Sequence, residues 1–231
     1  MSKIKHVFLD LDDTLFDFHK SEAVALSKTF RVLGVEPTEE ILRDYSEINR
    51  QMWSLLERSE ATRADILTRR FRILFDKMNR PDLSHINAQA IYERTLSSEW
   101  CWFDGGEELL CALWGKYHLY IASNGTAVVQ DGRIKLSGIA KYFDGIFISQ
   151  RIGYDKPSRE FFEGCFAEIA DFSRDEAIIL GDSLDSDILG GKNAGILTCY
   201  FNPHKRAGRE DVKADFEISH LSEFVSLLER I

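Results

Sequence analysis

The spacing of the apolar β-type runs is what most narrows the folds open to this chain. HVFLD (6–10) is followed by YHLYIAS (117–123), GIFIS (145–149), AIILGD (177–182), ILTCYF (196–201) and ADFEIS (214–219). From the second run onward, helical patterns lie between the runs, which is the βαβ signature of a parallel sheet. Val7, Phe8 and Leu9 are apolar without alternation, as expected of a central strand covered on both faces. One interval breaks the rhythm. Between about Phe18 and Trp100 no strand pattern occurs, and apolar residues recur at helical spacing: Ala23, Leu26, Phe30, Leu33; Ile41, Tyr45, Ile48, Met52, Leu55; Leu67, Phe71, Leu74, Met78. Thr38 is the predicted N-cap of one helix, and Gly34 and Pro81 are predicted stop signals. A parallel crossover needs about a dozen residues or more, so roughly eighty helical residues predict a separate inserted domain. The expected organisation is an α/β parallel-sheet core from 1–16 and 101–231, with an all-helical domain at 17–100.

Ligands of open α/β sheets collect beyond the carboxyl ends of the strands, and this chain places polar residues there repeatedly. After the first run come Asp10, Asp12, Asp13, Thr14 and Asp17. In a locally extended chain, residues two apart project to one side, so Asp10 and Asp12 can converge while Leu11 packs the other way. The second run ends in Ser123, Asn124 and Gly125, a hydroxyl, an amide and a freed backbone suited to phosphate oxygens. After the third, Lys156 precedes Pro157, and a helix opening at that proline would hold the lysine at its mouth. The fourth places Asp182 at its end and Asp187 about one helical turn later. Taken singly, each of these is equally an ordinary turn, cap or surface charge.

Two unit charges about 4 Å apart interact by roughly 4 kcal/mol at an effective dielectric of 20, so converging carboxylates need positive charge or take up protons. Lys156 and a divalent cation can supply it, and hard oxygen ligands from several strand ends suit Mg²⁺. Asp13 and Asp17 need only form the local turn and cap. The segment ending Gly190, Gly191, Lys192 is not a P-loop, because Ser186 stands where that motif needs Gly and Asn193 where it needs Ser or Thr.

The net charge of -9 and the pI near 5.2 argue against general nucleic-acid or anionic-membrane binding. A small phosphorylated ligand held by local positive charge remains compatible. Cys101, Cys111, Cys165 and Cys199 form no CxxC pair, and buried free thiols in a reducing cytosol are expected. No uncharged run approaches the roughly 18 residues of a membrane span, and MSKIKH leads straight into the first strand. A cytoplasmic protein, monomer or homodimer, is the expectation.

Together, DLDDT, SNG, the later KP lysine and GDSLDSD, in that order, resemble the haloacid dehalogenase-like hydrolase superfamily in its Mg²⁺-dependent phosphatase branch. The resemblance implies a Rossmann-like core, and makes the inserted helical stretch the family's cap. It implies that Asp10 is the nucleophile that forms an aspartyl-phosphate and Asp12 the general acid. Ser123 and Lys156, with Asn124 as helper, would hold the phosphoryl group. Mg²⁺ would be held by Asp10, by the backbone carbonyl of Asp12 and by Asp182, with Thr14 and Asp187 in support. The segments DLDDTLFD, SNGTAVVQDGRIKLSGIAKYFD and GDSLDSDILGGKNAGILTCYFNP are similar to pyrimidine 5'-nucleotidases, which implies a nucleoside monophosphate substrate. N-acylneuraminate 9-phosphatase is the sugar-phosphate alternative, and a phospho-aspartate switch or binding module the non-enzymatic one. Asp12 and Asp182 count against a metal-free dehalogenase, and no phosphonatase motif surrounds Lys28 or Lys77.

Overall fold

The structure is a computed structural model that describes residues 3–58 and 60–231. In chain order the elements are β1 His6–Leu9, α1 Phe18–Val32, α2 Glu39–Glu57, α3 Arg63–Lys77, α4 His85–Leu96, α5 Gly106–Leu113, β2 His118–Ser123, α6 Ala127–Ser137, β3 Gly145–Ile148 and α7 Ser149–Ile152. They continue with α8 Arg159–Ala167, β4 Ala177–Gly181, a π-helical turn at Leu184–Ile188, α9 Leu189–Ala194, β5 Leu197–Phe201, β6 Phe216–Ile218 and α10 Leu221–Leu228. The six strands form one sheet in the order β3-β2-β1-β4-β5-β6, every neighbouring pair parallel. This is the Rossmann-like α/β core that the run spacing and the resemblance predict.

Period-two alternation divides the strand side chains between two cores. Val7, Leu9, Leu119, Ile121, Ile178 and Leu180 face α5 and α10, packing with Leu110, Leu113 and Phe224. Phe8, Tyr120, Ala122 and Ile179 face the other way, onto Phe161, Phe162 and Cys165 of α8. Strand order reverses at β1: the chain runs outward through β2 and β3, then crosses back to place β4 on the other side of β1. The crevice outside the carboxyl ends of β1 and β4 is therefore the topological switch point, where open α/β sheets bind ligands. Asp10 and Asp182 immediately follow these two strands.

Helices α1 to α4 have a core of their own, with Phe30, Tyr45, Phe71, Leu74, Phe75 and Tyr92 at its centre. Asp17 caps α1 by accepting from the Lys20 N–H, Thr38 caps α2, and Thr62 with Asp65 forms a capping box at α3. The apolar periodicity did not single out α4, and it misplaced part of the buried stripe elsewhere. Ala23 and Leu67 are not in the core, whereas Glu22, Asn49 and Arg70 are buried. Apolar spacing cannot register a polar residue that folding takes out of water.

Cys165 and Cys199 are buried free thiols as expected, but Cys111 is exposed and Cys101 half-buried. Among the described residues, no helix is long and apolar enough to cross a membrane.

Candidate active site

Lys156 is the centre of the site and is only 1% exposed. Its ammonium donates to Asp10 Oδ1 at 2.7 Å, to Asp187 Oδ1 at 2.6 Å and to the Ala122 carbonyl at 2.6 Å, so all three donors are used. Burial alone would drive the proton off, but Asp10 and Asp187 outweigh it and raise the Lys156 pKa above its ordinary value. Asn124 fixes the lysine backbone from both sides: its Oδ1 accepts from the Lys156 N–H and its Nδ2 donates to the Lys156 carbonyl, each at 2.8 Å. Its amide thus positions Lys156. The lysine does not sit at a helix mouth opened by Pro157. The Lys156–Pro157 bond is cis, Ser158 is the N-cap, and α8 begins at Arg159.

Oxygen atoms of Asp10, Asp182 and Asp187 lie within 4.8 Å of one another. Burial, against the pull of Lys156 and with Asp187 and Asp12 adding to the rise, brings the Asp10 carboxyl up to about 8. Asp182 is raised well above the carboxylate range by burial, then by Asp13, Asp10 and Asp187, with Arg206 opposing. Three hard carboxylate donors with one contacting ammonium form a set short of positive charge, and a divalent cation fits it. Asp187, which the sequence places in a supporting role, is as much a member of this cluster as Asp182. Its Oδ2 also accepts from the Ser183 N–H at 3.1 Å. The position before Asp182 must be glycine, since a Cβ on Gly181 would fall 2.2 Å from Asp187 Cγ.

The Asp12 side chain turns instead toward α6. Gln130 Nε2 donates to its Oδ2 at 2.7 Å, and the fully buried Arg133 forms an ion pair with its Oδ1. Gln130 Nε2 also donates to Ser123 Oγ at 2.9 Å, tying the hydroxyl at the end of β2 to the acid after β1. A Cβ on Gly125 would meet that amide at 2.1 Å, so glycine after Ser123 and Asn124 is what lets Gln130 reach both. Gln130 and Arg133 were not identified from the sequence. The available signal was their spacing of three in a helix that starts just after SNG, which puts both on one face. Thr14 is fully buried, and its hydroxyl has no hydrogen-bond partner among the described residues.

Comparison with known proteins places this arrangement. The haloacid dehalogenase-like hydrolase family matches residues 4–195. The chain belongs to that family. It is 32% identical to pyrimidine 5'-nucleotidase PynA of Streptococcus pneumoniae over 98% of this chain and 95% of that one. It is 30% identical to pyrimidine 5'-nucleotidase YjjG of Escherichia coli, over 96% of each chain. A crystal structure of the HAD-hydrolase YfnB from Bacillus subtilis, bound to magnesium and described as revealing interdomain movement, superimposes with a TM-score of 0.93 at 32% identity, covering 99% of both chains.

In this haloacid dehalogenase-like hydrolase the four N-terminal helices roof the carboxyl ends of the strands. A cleft of about 730 Å³ lies between them, lined by Asp10, Asp12, Ser123, Lys156 and Asp182 below and by Glu22, Asn49, Trp53 and Arg70 above. Arg63, at the start of α3, reaches down to the core. It donates to the Asn124 carbonyl at 2.7 Å and to Ser149 Oγ at 2.6 Å, pairs with Asp155, and lies 5.5 Å from the Trp53 ring centroid. Glu57, at the end of α2, accepts from Ser183 Oγ at 3.2 Å. Arg63 therefore touches the same Asn124 that fixes Lys156.

Proposed function

We propose that this hydrolase is a Mg²⁺-dependent phosphomonoesterase acting on pyrimidine nucleoside monophosphates, with residues 17–100 as its cap. The observation that carries the reading is Asp10 at the switch point, held by Lys156 beside Asp182 and Asp187 under a roofed cleft. The nucleotidases PynA and YjjG support the substrate class, and the magnesium-bound YfnB supports the metal.

Asp10 is the nucleophile. Its carboxylate oxygen bonds to phosphorus as the bond from phosphorus to the leaving oxygen breaks, giving an aspartyl-phosphate, and Asp12, having first taken up a proton from solvent, gives it to that oxygen. Gln130 and Arg133 keep Asp12 aimed during this step. Water then attacks the phosphoryl group, Asp12 takes the water's proton, the bond to Asp10 breaks, and phosphate leaves with Asp10 restored. Ser123 offers its hydroxyl and Lys156 its positive charge to the phosphoryl group, which is where charge on the transferring group is stabilised. Asp10, Asp182 and Asp187 would hold Mg²⁺, which neutralises carboxylate and phosphate charge and so lets the two anions approach.

The test is phosphate release by the purified protein from UMP, dUMP, TMP, purine monophosphates, sugar phosphates and N-acetylneuraminate 9-phosphate, each with Mg²⁺ and with excess EDTA. Metal-dependent turnover concentrated on the pyrimidine nucleotides is the expected result. Preference for a sugar phosphate would replace the substrate and keep the chemistry. A single stoichiometric phosphorylation without turnover would overturn the enzyme reading in favour of a switch.

A further inference from the structure

Three polar residues buried in the helical region meet none of the needs of its core. Glu22 of α1, Asn49 of α2 and Arg70 of α3 are 2%, 2% and 4% exposed, and all three line the cleft. Glu22 accepts from Asn49 Nδ2 at 2.7 Å and from Ser46 Oγ at 2.6 Å. Arg70 Nη1 donates to Asn49 Oδ1 at 2.8 Å, and its Nε donates to Gln89 Oε1 at 3.0 Å. Its guanidinium carbon lies 5.0 Å from the Tyr92 ring centroid and 5.9 Å from that of Tyr45.

A buried charge is costly unless it is paired and hydrogen-bonded. Arg63 and Arg133 each meet a carboxylate directly. Among the described residues, Arg70 meets only neutral amide oxygens. Those two bonds use two of its five N–H groups, so donors remain on a guanidinium whose plane is fixed by two amides and two rings. Such a fork, spared a carboxylate and set in the wall of a ligand cleft, is built to donate to an oxygen that the ligand brings.

We infer that Arg70, oriented by Asn49 and Gln89, is the specificity-determining residue that reads a carbonyl oxygen on the leaving group. The inference rests on the nucleotidase reading and deepens it, because the occupant it names is the carbonyl edge of a pyrimidine base. A neutral carbonyl fits better than a carboxylate, since Glu22, Glu57 and Glu93 line the same side of the cleft. Phe18, Trp53 and Tyr92 in its walls are suited to a flat ring. A ligand without that carbonyl leaves the buried Arg70 donors unpaired, which is how a site built for one polar group rejects a ligand lacking it, and removing the donor in turn leaves the carbonyl without a partner.

The experiment compares kcat/KM for UMP with that for ribose 5-phosphate, which keeps the phosphate and ribose but has no base. It uses the wild type, Arg70→Met and Arg70→Lys, all with Mg²⁺. The wild type should favour UMP at least tenfold, and both variants should bring that ratio down by at least tenfold, mainly through KM for UMP. Inhibition by uridine should weaken in parallel. Equal losses on the two substrates, or an unchanged ratio, would overturn the role of Arg70 and leave the nucleotidase reading standing. A wild type that turns over other phosphoesters but shows no preference for UMP over ribose 5-phosphate would overturn both. That arm needs no variant and holds even if Arg70→Met fails to fold.

Discussion

Asp10 and Glu22 are both buried carboxylates on the wall of one cleft, and they are stabilised in different ways. Asp10 touches its cation directly, with Lys156 at 2.7 Å and a second carboxylate on the same ammonium. Glu22 is joined to Arg70 only through Asn49, so the charges on the helical side communicate by way of a neutral amide. Direct contact in a low-dielectric site fixes charge where charge must not move, which suits the nucleophile proposed for Asp10. An amide-linked network spends fewer of its donors on itself and leaves some for a ligand. Under the proposed function, the difference separates chemistry from selectivity: reaction at the strand ends, recognition among the helices.

Replacing Asp10, the proposed nucleophile, should break the core side outright. Asp10→Asn is expected to lower phosphate release by ~10³-fold or more while circular dichroism and the melting transition stay native-like; turnover near the wild-type level would remove Asp10 from its role. Asp12→Asn should cost roughly 10²–10⁴-fold, the usual yield of general acid–base catalysis, with the larger losses on esters of poorer leaving groups. It also leaves the buried Arg133 without its carboxylate, so urea denaturation should show a loss of about 2–3 kcal/mol. A stability loss without a rate loss would make Asp12 a structural partner only.

The contact between the two regions is tested by Arg63→Ala, which removes three bonds to the core at once. We expect KM to rise about five- to tenfold and the helical region to become more open to limited proteolysis, since positioning is lost and the chemistry is not. No change in either would show that the roof is held by its packing alone.

The smallest effect lies far from the cleft. His6 stacks on His118 and hydrogen-bonds Tyr120 Oη at 3.3 Å, and burial, with the neighbouring His118, lowers its pKa below the ordinary 6.5. The unfolded chain therefore binds the proton more readily than the folded one. Stability should be full above about pH 6.5, fall as pH drops through the window down to the depressed folded value, and level off below it. Melting temperatures across this range should show that decline in the wild type and less of it in His6→Phe. Equal slopes would assign the acid sensitivity to other groups.

Much of this molecule was legible as pattern. The six apolar runs became six parallel strands, and the long strandless interval became four helices with their own core. Asp10, Asp12, Ser123, Asn124, Lys156, Asp182 and Asp187 all proved to lie at one end of the sheet, on the walls of one cleft. What escaped was the identity of each residue's partner. Asn124 holds a lysine backbone, Asp187 shares the carboxylate cluster, and Gln130 and Arg133 hold Asp12. Glu22, Asn49 and Arg70 escaped for another reason: a helical stripe is read from its apolar members, and these three occupy the stripe as polar ones.

The sequence by itself determined the sheet, the insertion and the carboxylates at the strand ends, because those follow from local periodicity and from where a strand stops. Only the tertiary structure decided which charges meet. Lys156 finds Asp10 across 146 residues of chain and Arg133 finds Asp12 across 121. Those encounters depend on strand order and on the packing of helices over the switch point, and burial there is what turns ordinary acids, amides and cations into a site.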